Sequence, residues 1–154
     1  MKTISAETLA SDLTAKFAGT RLVNAWGETS LFYNPNGKLP RGVYFATVKS
    51  KDGDNDKASN LDRYGVFRLN VGTTPSLFLD QFGTRPARPA KGCHIDGPWD
   101  FTALDTLTPH PVYGWMSWIS ILNPSAASLT SLGPMIDAAY QKAATAFDKR
   151  IAKL

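Results

Sequence analysis

The sequence predicts an α/β (α+β) domain in which a curved antiparallel sheet of five or six strands packs against an N-terminal and a C-terminal helix. Three observations carry that expectation. Apolar residues recur at helical spacing at both ends of the chain: Leu9, Leu13 and Phe17 in one segment, Leu132, Ile136, Tyr140, Ala143, Phe147 and Ile151 in the other. Between residues 20 and 72, short runs of β-branched and aromatic residues alternate with turn residues, and no segment is suited to the crossover helix that parallel pairing requires. At 154 residues, with 43% hydrophobic and 19% charged content, the chain suits a single domain, 1–154, able to bury a core without metal or disulfide support.

Taken in order, the first helix runs from about Ser5 to Ala18 and is ended by Gly19. RLVNAW and TSLFYN follow as short strands around Gly27 and Glu28. The turn Asn34-Pro35-Asn36-Gly37 leads to VYFATVK, and a polar loop then leads to GVFRLNV, beginning near Gly65. Thr74 supplies an N-cap with Pro75 at the first helical position, opening a short helix that Gly83 can end. Residues 84–100, TRPARPAKGCHIDGPWD, form an irregular segment with three prolines and two glycines. FTALDTL is ambiguous between helix and strand, and WMSWISIL is the last strand. The final helix spans about Leu129 to Leu154, with Pro134 tolerated near its start.

Composition narrows the function classes. Seventeen basic against thirteen acidic residues give +4, an excess that permits a phosphate or nucleic-acid partner without requiring one. The basic residues are scattered rather than gathered into a tract. The opening MKTISAETLASDLTAKFAG does not read as a signal peptide, no apolar run is long enough to span a membrane, and one cysteine cannot form an internal bridge. A cytoplasmic location and no membrane partner are therefore expected. There is no GxGxxG and no P-loop, so no cofactor is expected.

The stretch SKDGDNDKASNLDR places Asp52, Asp54 and Asp56 at alternate positions, as an EF-hand does at the start of its loop. The glycine and glutamate that such a loop needs at positions 6 and 12 are replaced by Lys57 and Arg63. Residues 50–60 are instead expected to be a mobile, hydrated loop with all three aspartates exposed. Cys93 and His94 are adjacent, a poor spacing for ligating one ion, and no second cysteine is present; no metal site is expected.

His110 lies between Pro109 and Pro111, five residues after Asp105. Were the segment to fold back, Asp105 could orient His110 as a general base; a structural hydrogen-bonding corner is the plainer alternative. Arg63, Arg68 and Asn70 are the candidate ligand contacts, together with His110. In GVFRLNV, Val66, Arg68 and Asn70 share one face and Phe67, Leu69 and Val71 the other. Arg68 and Asn70 could hold a phosphate or carboxylate, or simply line a wet sheet face. Trp118 shares a face with Ser120, as a packing residue or an exposed stacking platform.

The segments WGETSLFYNPNGKLPRG, KSKDGDNDKASNLDRYGVFRLN and HPVYGWMSWISILNP, with the terminal IDAAYQKA, resemble a conserved bacterial family of small proteins of unknown function, from roughly Trp26 to Tyr140. More remotely, FRLN at Phe67 to Asn70, the stretch from His110 to Trp118 and IDAAY at Ile136 to Tyr140 resemble the MmcQ/YjbR-like domains, which have a CyaY-like fold. That resemblance implies DNA binding by analogy of fold. The chain departs from it in having no Lys or Arg in PVYGWMS.

Together these readings predict a non-catalytic binding or regulatory module for a small anionic ligand or nucleic acid, with a homodimer as one way to complete the site. The alternative is a small metal-independent enzyme, a hydrolase, built around His110.

Overall fold

The computed structural model describes residues 4–25 and 27–154. Trp26, which ends the expected RLVNAW strand and opens the first family-like segment, lies outside the described residues. The chain forms α1 (Ala6–Lys16), β1 (Thr20–Ala25), β2 (Glu28–Tyr33), β3 (Val43–Lys49), β4 (Arg68–Gly72), α2 (Pro75–Phe82), β5 (Thr108–Pro109), β6 (Trp118–Leu122) and α3 (Ala126–Ala152). The strands make one six-stranded antiparallel sheet in the order β1-β2-β3-β4-β6-β5. This is the α+β domain that the sequence predicted.

Strand alternation sorts the two faces of the sheet. Leu31, Ala46, Val48, Leu69, Val71, Ile119 and Ile121 are buried on one face against α1 and α3. From α3, Leu132, Ile136, Ala139 and Ala143 follow one another at steps of three or four and reach that core, with Phe147 buried one turn further on. Leu9 and Leu13 of α1 and Phe17 just after it complete the cluster. Phe17 packs edge-on to Phe45, and Tyr33 packs edge-on to Phe147. Ser5 caps α1 by accepting from the Thr8 N–H, and Thr74 caps α2 by accepting from the Leu77 N–H.

Three boundaries differ from the sequence expectation. β4 begins at Arg68 rather than near Gly65, because Phe67 exchanges its backbone bonds with Asn123 instead of with a neighbouring strand. β6 begins at Trp118, because Gly114–Met116 close a 3₁₀ turn and Ser117 takes a left-handed φ of 69°. α3 begins at Ala126, where Ser125 accepts from the Ser128 N–H, so Pro134 sits inside the helix and not at its start. FTALDTL is neither helix nor strand; it touches the sheet through a single bridge between Leu104 and Leu122. The two-residue β5 follows it at the sheet edge, a place where Pro109 is tolerated. Residues 84–100 contain no helix or strand.

Candidate functional site

The second face of the sheet carries three cross-strand rows. The register aligns Glu28, Lys49 and Arg68 in one row, and Ser30, Thr47, Asn70, Ser120 and Thr108 in the next. Phe32 and Tyr44 begin the third, which reaches Trp118 across Gly72. A charged row, a hydroxyl and amide row and an aromatic row thus lie side by side. The loop after β3 and the segment from Pro109 to Tyr113 fold over the first two rows.

That cover makes this face something other than a wet sheet surface. Arg68 is 0% exposed, and Asn70 is equally buried. Arg68 Nε donates to Asn70 Oδ1 at 2.7 Å, and Nη1 donates to Ser59 Oγ at 2.9 Å and to Asp56 Oδ1 at 3.0 Å. Nη2 donates to the second oxygen of Asp56, completing a bidentate pair. Asn70 in turn donates to Thr47 Oγ1 and accepts from Ser120 Oγ. Arg68 is therefore engaged by groups of this chain, and the carboxylate that it holds is that of Asp56.

Asp56 and Asp52 correct the expectation for the loop. Only Asp54 of the three aspartates is exposed. Asp52 accepts from the Leu61 N–H at 2.8 Å, while the Asp56 side chain is 17% exposed and folded inward onto Arg68. Leu61 and Ser59, both buried, anchor the end of the segment. Gly53 and Asp56 exchange backbone hydrogen bonds in a tight turn that aims the Asp56 carboxylate at the sheet. Burial pushes the Asp56 carboxyl up, but the hydrogen bonds and charge of Arg68, aided by Lys49, outweigh it and hold the group below its ordinary value.

His110 joins this network, a convergence the sequence left open, and it does so as a hydrogen-bonding corner. It is 3% exposed. Its Nδ1 accepts from the backbone N–H of Val112 and of Tyr113, each at 3.0 Å. An atom that accepts two N–H bonds carries the lone pair, so the proton of the neutral ring is on Nε2. Nε2 lies 3.3 Å from Arg68 Nη2 and 3.9 Å from Asp56 Oδ2. Arg68 cannot donate to a nitrogen that itself bears a hydrogen, so the two groups stand side by side as donors. Burial, then the charges of Arg68 and Lys49, push the imidazole well below its ordinary value, against a smaller opposing pull from Asp56. His110 is thereby arranged as a fixed hydrogen-bond donor and not as a base.

The pairing of Asp105 with His110 does not form. Asp105 Oδ1 accepts from the Ser125 N–H at 2.8 Å, at the start of α3, and this bond holds its carboxyl below the usual range. Arg63 also stands apart: its guanidinium donates to the carbonyls of Ser59, Asn60 and Thr102 and ties the loop to residue 102. Of the candidates, Arg68, Asn70 and His110 come together, whereas Arg63 and Asp105 do not join them.

The network forms one wall of a cleft of about 550 Å³. Lys49, Thr47, Asp56 and His110 line its polar end, and Phe32, Tyr44, Tyr113, Met116 and Trp118 its apolar end, with Glu28 and Arg41 also on the lining. Lys49 is only 8% exposed. Among the described residues, its ammonium has no carboxylate within ion-pair distance and no hydrogen-bond partner. It lies beside Gly53, where an added Cβ would come within 3.4 Å of Nζ. Sequence reading missed Lys49, Thr47 and Asp56. The signal for the first two was available: Thr47 and Lys49 alternate in a strand otherwise apolar, as Arg68 and Asn70 do. Asp56 gave no comparable signal, because its loop has no period.

The aromatic end depends on a glycine. Tyr44 and Trp118 rings lie 5.5 Å apart, and a Cβ at Gly72 would meet Trp118 Cε2 at 2.7 Å. Gly72→Ala should therefore push the indole outward. The ring borders an open cleft, so the cost should fall at the low end for overpacking, about 1 kcal/mol. A red shift in tryptophan emission should accompany it, and an unchanged spectrum with unchanged stability would refute the packing described.

Fold and site together define an α+β domain with a mixed polar and aromatic cleft on the sheet face away from α1 and α3. The chain belongs to a family of unknown function (DUF6194), which it matches over residues 4–152. No curated protein and no solved structure matches it. Among the described residues, no helix is long and apolar enough to cross a membrane.

Proposed function

We propose that this protein is a binding module for a small anionic ligand, taken up in the cleft between Lys49 and Trp118. One observation carries the reading: Lys49 is nine-tenths buried as a residue and lines the cleft, and among the described residues no carboxylate lies within ion-pair distance of its ammonium, while the fixed Nε2–H of His110 lines the same cleft. A cation held at a half-enclosed, partly apolar cleft attracts an anion more strongly than one in open water, so a ligand anion would find a ready partner there. The cleft volume lies within the range of small-molecule sites.

Nucleic acid is less well supported, because Arg63 and Arg68, the basic candidates, are spent on contacts within the chain. A hydrolase with His110 as its base is also disfavoured, since Nδ1 is occupied by two backbone donors. The MmcQ/YjbR-like relationship remains part of the proposal, on the likeness of FRLN and IDAAY. So does a cytoplasmic location, which would keep the exposed Cys93 thiol reduced.

Amide chemical-shift mapping tests the reading. Acetate, succinate, benzoate and inorganic phosphate are titrated separately, and duplex and single-stranded DNA are titrated at low salt. At least one anion should shift the amides of Lys49, Asp56 and Tyr113. DNA binding that weakens steeply with salt, with those amides unmoved, would replace this reading with a nucleic-acid one. An esterase screen of the parent and His110→Ala addresses the enzyme, and activity lost in the variant would restore it.

A further inference from the structure

Resting on that reading of the cleft, we infer that its ligand is an aromatic carboxylate. The acid group would sit between Lys49 Nζ and His110 Nε2–H, and the ring against Trp118 and Tyr44.

The polar end favours a carboxylate over a phosphoryl group. Lys49 and His110 offer one ammonium and one directed N–H at this end, a pair suited to the two oxygens of a carboxylate, with the hydroxyl of Thr47 beside them. Phosphoryl sites commonly gather several backbone N–H groups from an α-helix N-terminus or a glycine-rich turn. Among the described residues, none lining the cleft lies at the N-terminus of an α-helix, and the N–H of Gly53 in the lining turn is taken by the Asp56 carbonyl. Charge agrees. Arg68 neutralises Asp56, which leaves Lys49 and Arg41 against Glu28 on the lining, two cations to one anion and hence an excess of one. A single negative charge balances it.

The ring follows from the other end. His110 and Trp118 have ring centroids 6.4 Å apart, and His110 and Tyr113 5.0 Å, so an acid on Nε2–H has aromatic surface within reach of its ring. Tyr44 and Trp118 lie tilted to each other across Gly72, and Met116 adds a polarizable thioether beside them. A short aliphatic acid would leave that surface bare. A neutral ring would leave Lys49 unpaired.

Calorimetric titration with 2-naphthoate, its neutral amide 2-naphthamide, succinate and inorganic phosphate tests the inference. On the unaltered protein, 2-naphthoate should bind at least tenfold more tightly than 2-naphthamide, a comparison that needs no variant to fold. Lys49→Met should remove that advantage. Trp118→Leu should weaken both ring compounds, and Lys57→Ala, outside the cleft, should change neither; circular dichroism establishes that each variant is folded. Equal binding of acid and amide, or full affinity in Lys49→Met, would overturn the inference. If succinate or phosphate shifts the cleft amides and 2-naphthoate does not, the aromatic class is wrong while an anion-binding cleft survives. If no anion binds there, both readings fall.

Discussion

Asp56→Ala should be the most destabilising single change in the loop between β3 and β4, lowering the free energy of unfolding by about 3 kcal/mol. Arg68 is fully buried, and Asp56 supplies its carboxylate partner among the described residues. Removing one member of a buried pair leaves the other charge uncompensated, a loss of roughly 3–5 kcal/mol. The lower end applies because Asp56 borders the cleft and water can follow into its place. Against the 5–15 kcal/mol typical of a domain, that is a large share. Asp54→Ala, on the exposed carboxylate of the same loop, should stay within about 0.5 kcal/mol. Urea denaturation measures both, and an Asp56→Ala midpoint equal to that of Asp54→Ala would disprove the pair. Adding Arg68→Met to Asp56→Ala should restore part of the loss, since the charge left unpaired is then gone.

The same pair gives an acid limb to stability. The folded-state pKa of Asp56 is depressed, so its contribution is complete above the unfolded carboxylate value of about 3.9 and is lost as pH falls through the lower folded one. Asp56→Asn should remove this part of the acid dependence.

The two faces of the sheet were legible in the sequence to different degrees. The apolar face was readable because Leu69 and Val71 alternate in β4 as Ala46 and Val48 do in β3, and because α1 and α3 carry matching apolar steps. The polar face was half readable: alternation put Arg68 with Asn70 and Trp118 with Ser120. It could not say that those positions were covered, since cover comes from a loop with no periodicity. Asp56 reaches Arg68 through a tight turn at Gly53, and the two are twelve residues apart in sequence. Composition alone describes the loop as hydrated, which holds for Asp54 and fails for Asp56.

The His110 reading shows a different limit. Its neighbours in sequence, Val112 and Tyr113, decide its protonation through backbone N–H groups, whose donation depends on the turn they form and not on which side chains they carry. Asp105, the nearest upstream carboxylate, is turned toward Ser125 at the start of α3. Spacing in sequence pointed to Asp105, whereas the carboxylate that approaches His110 is that of Asp56. Asp56 lies on another loop, with its Oδ2 3.9 Å from His110 Nε2.

Stability should also fall as pH drops through the ordinary range of a histidine, and His110 should account for the fall. In the unfolded chain the imidazole takes a proton near pH 6.5. In the folded chain burial comes first, followed by the charges of Arg68 and Lys49, and they keep it neutral to a much lower pH. Between those values the unfolded state binds more protons, so stability rises with pH through the window and is flat above it. The slope below pH 6.5 should approach about 1.4 kcal/mol for each pH unit. His110→Asn offers a carbonyl oxygen to the Val112 and Tyr113 N–H groups in place of Nδ1 and does not titrate. It should be less stable at pH 7.5, where the smaller side chain leaves a gap, and should lack the slope. Guanidinium unfolding at pH 7.5, 6.5, 5.5 and 5.0 on both proteins isolates the difference. A parent that gains stability relative to His110→Asn on acidification would mean that the folded state takes the proton and pairs the imidazolium with Asp56. Nδ1 would then have to release Val112 and Tyr113, and the fixed donor on which the anion site rests would not exist.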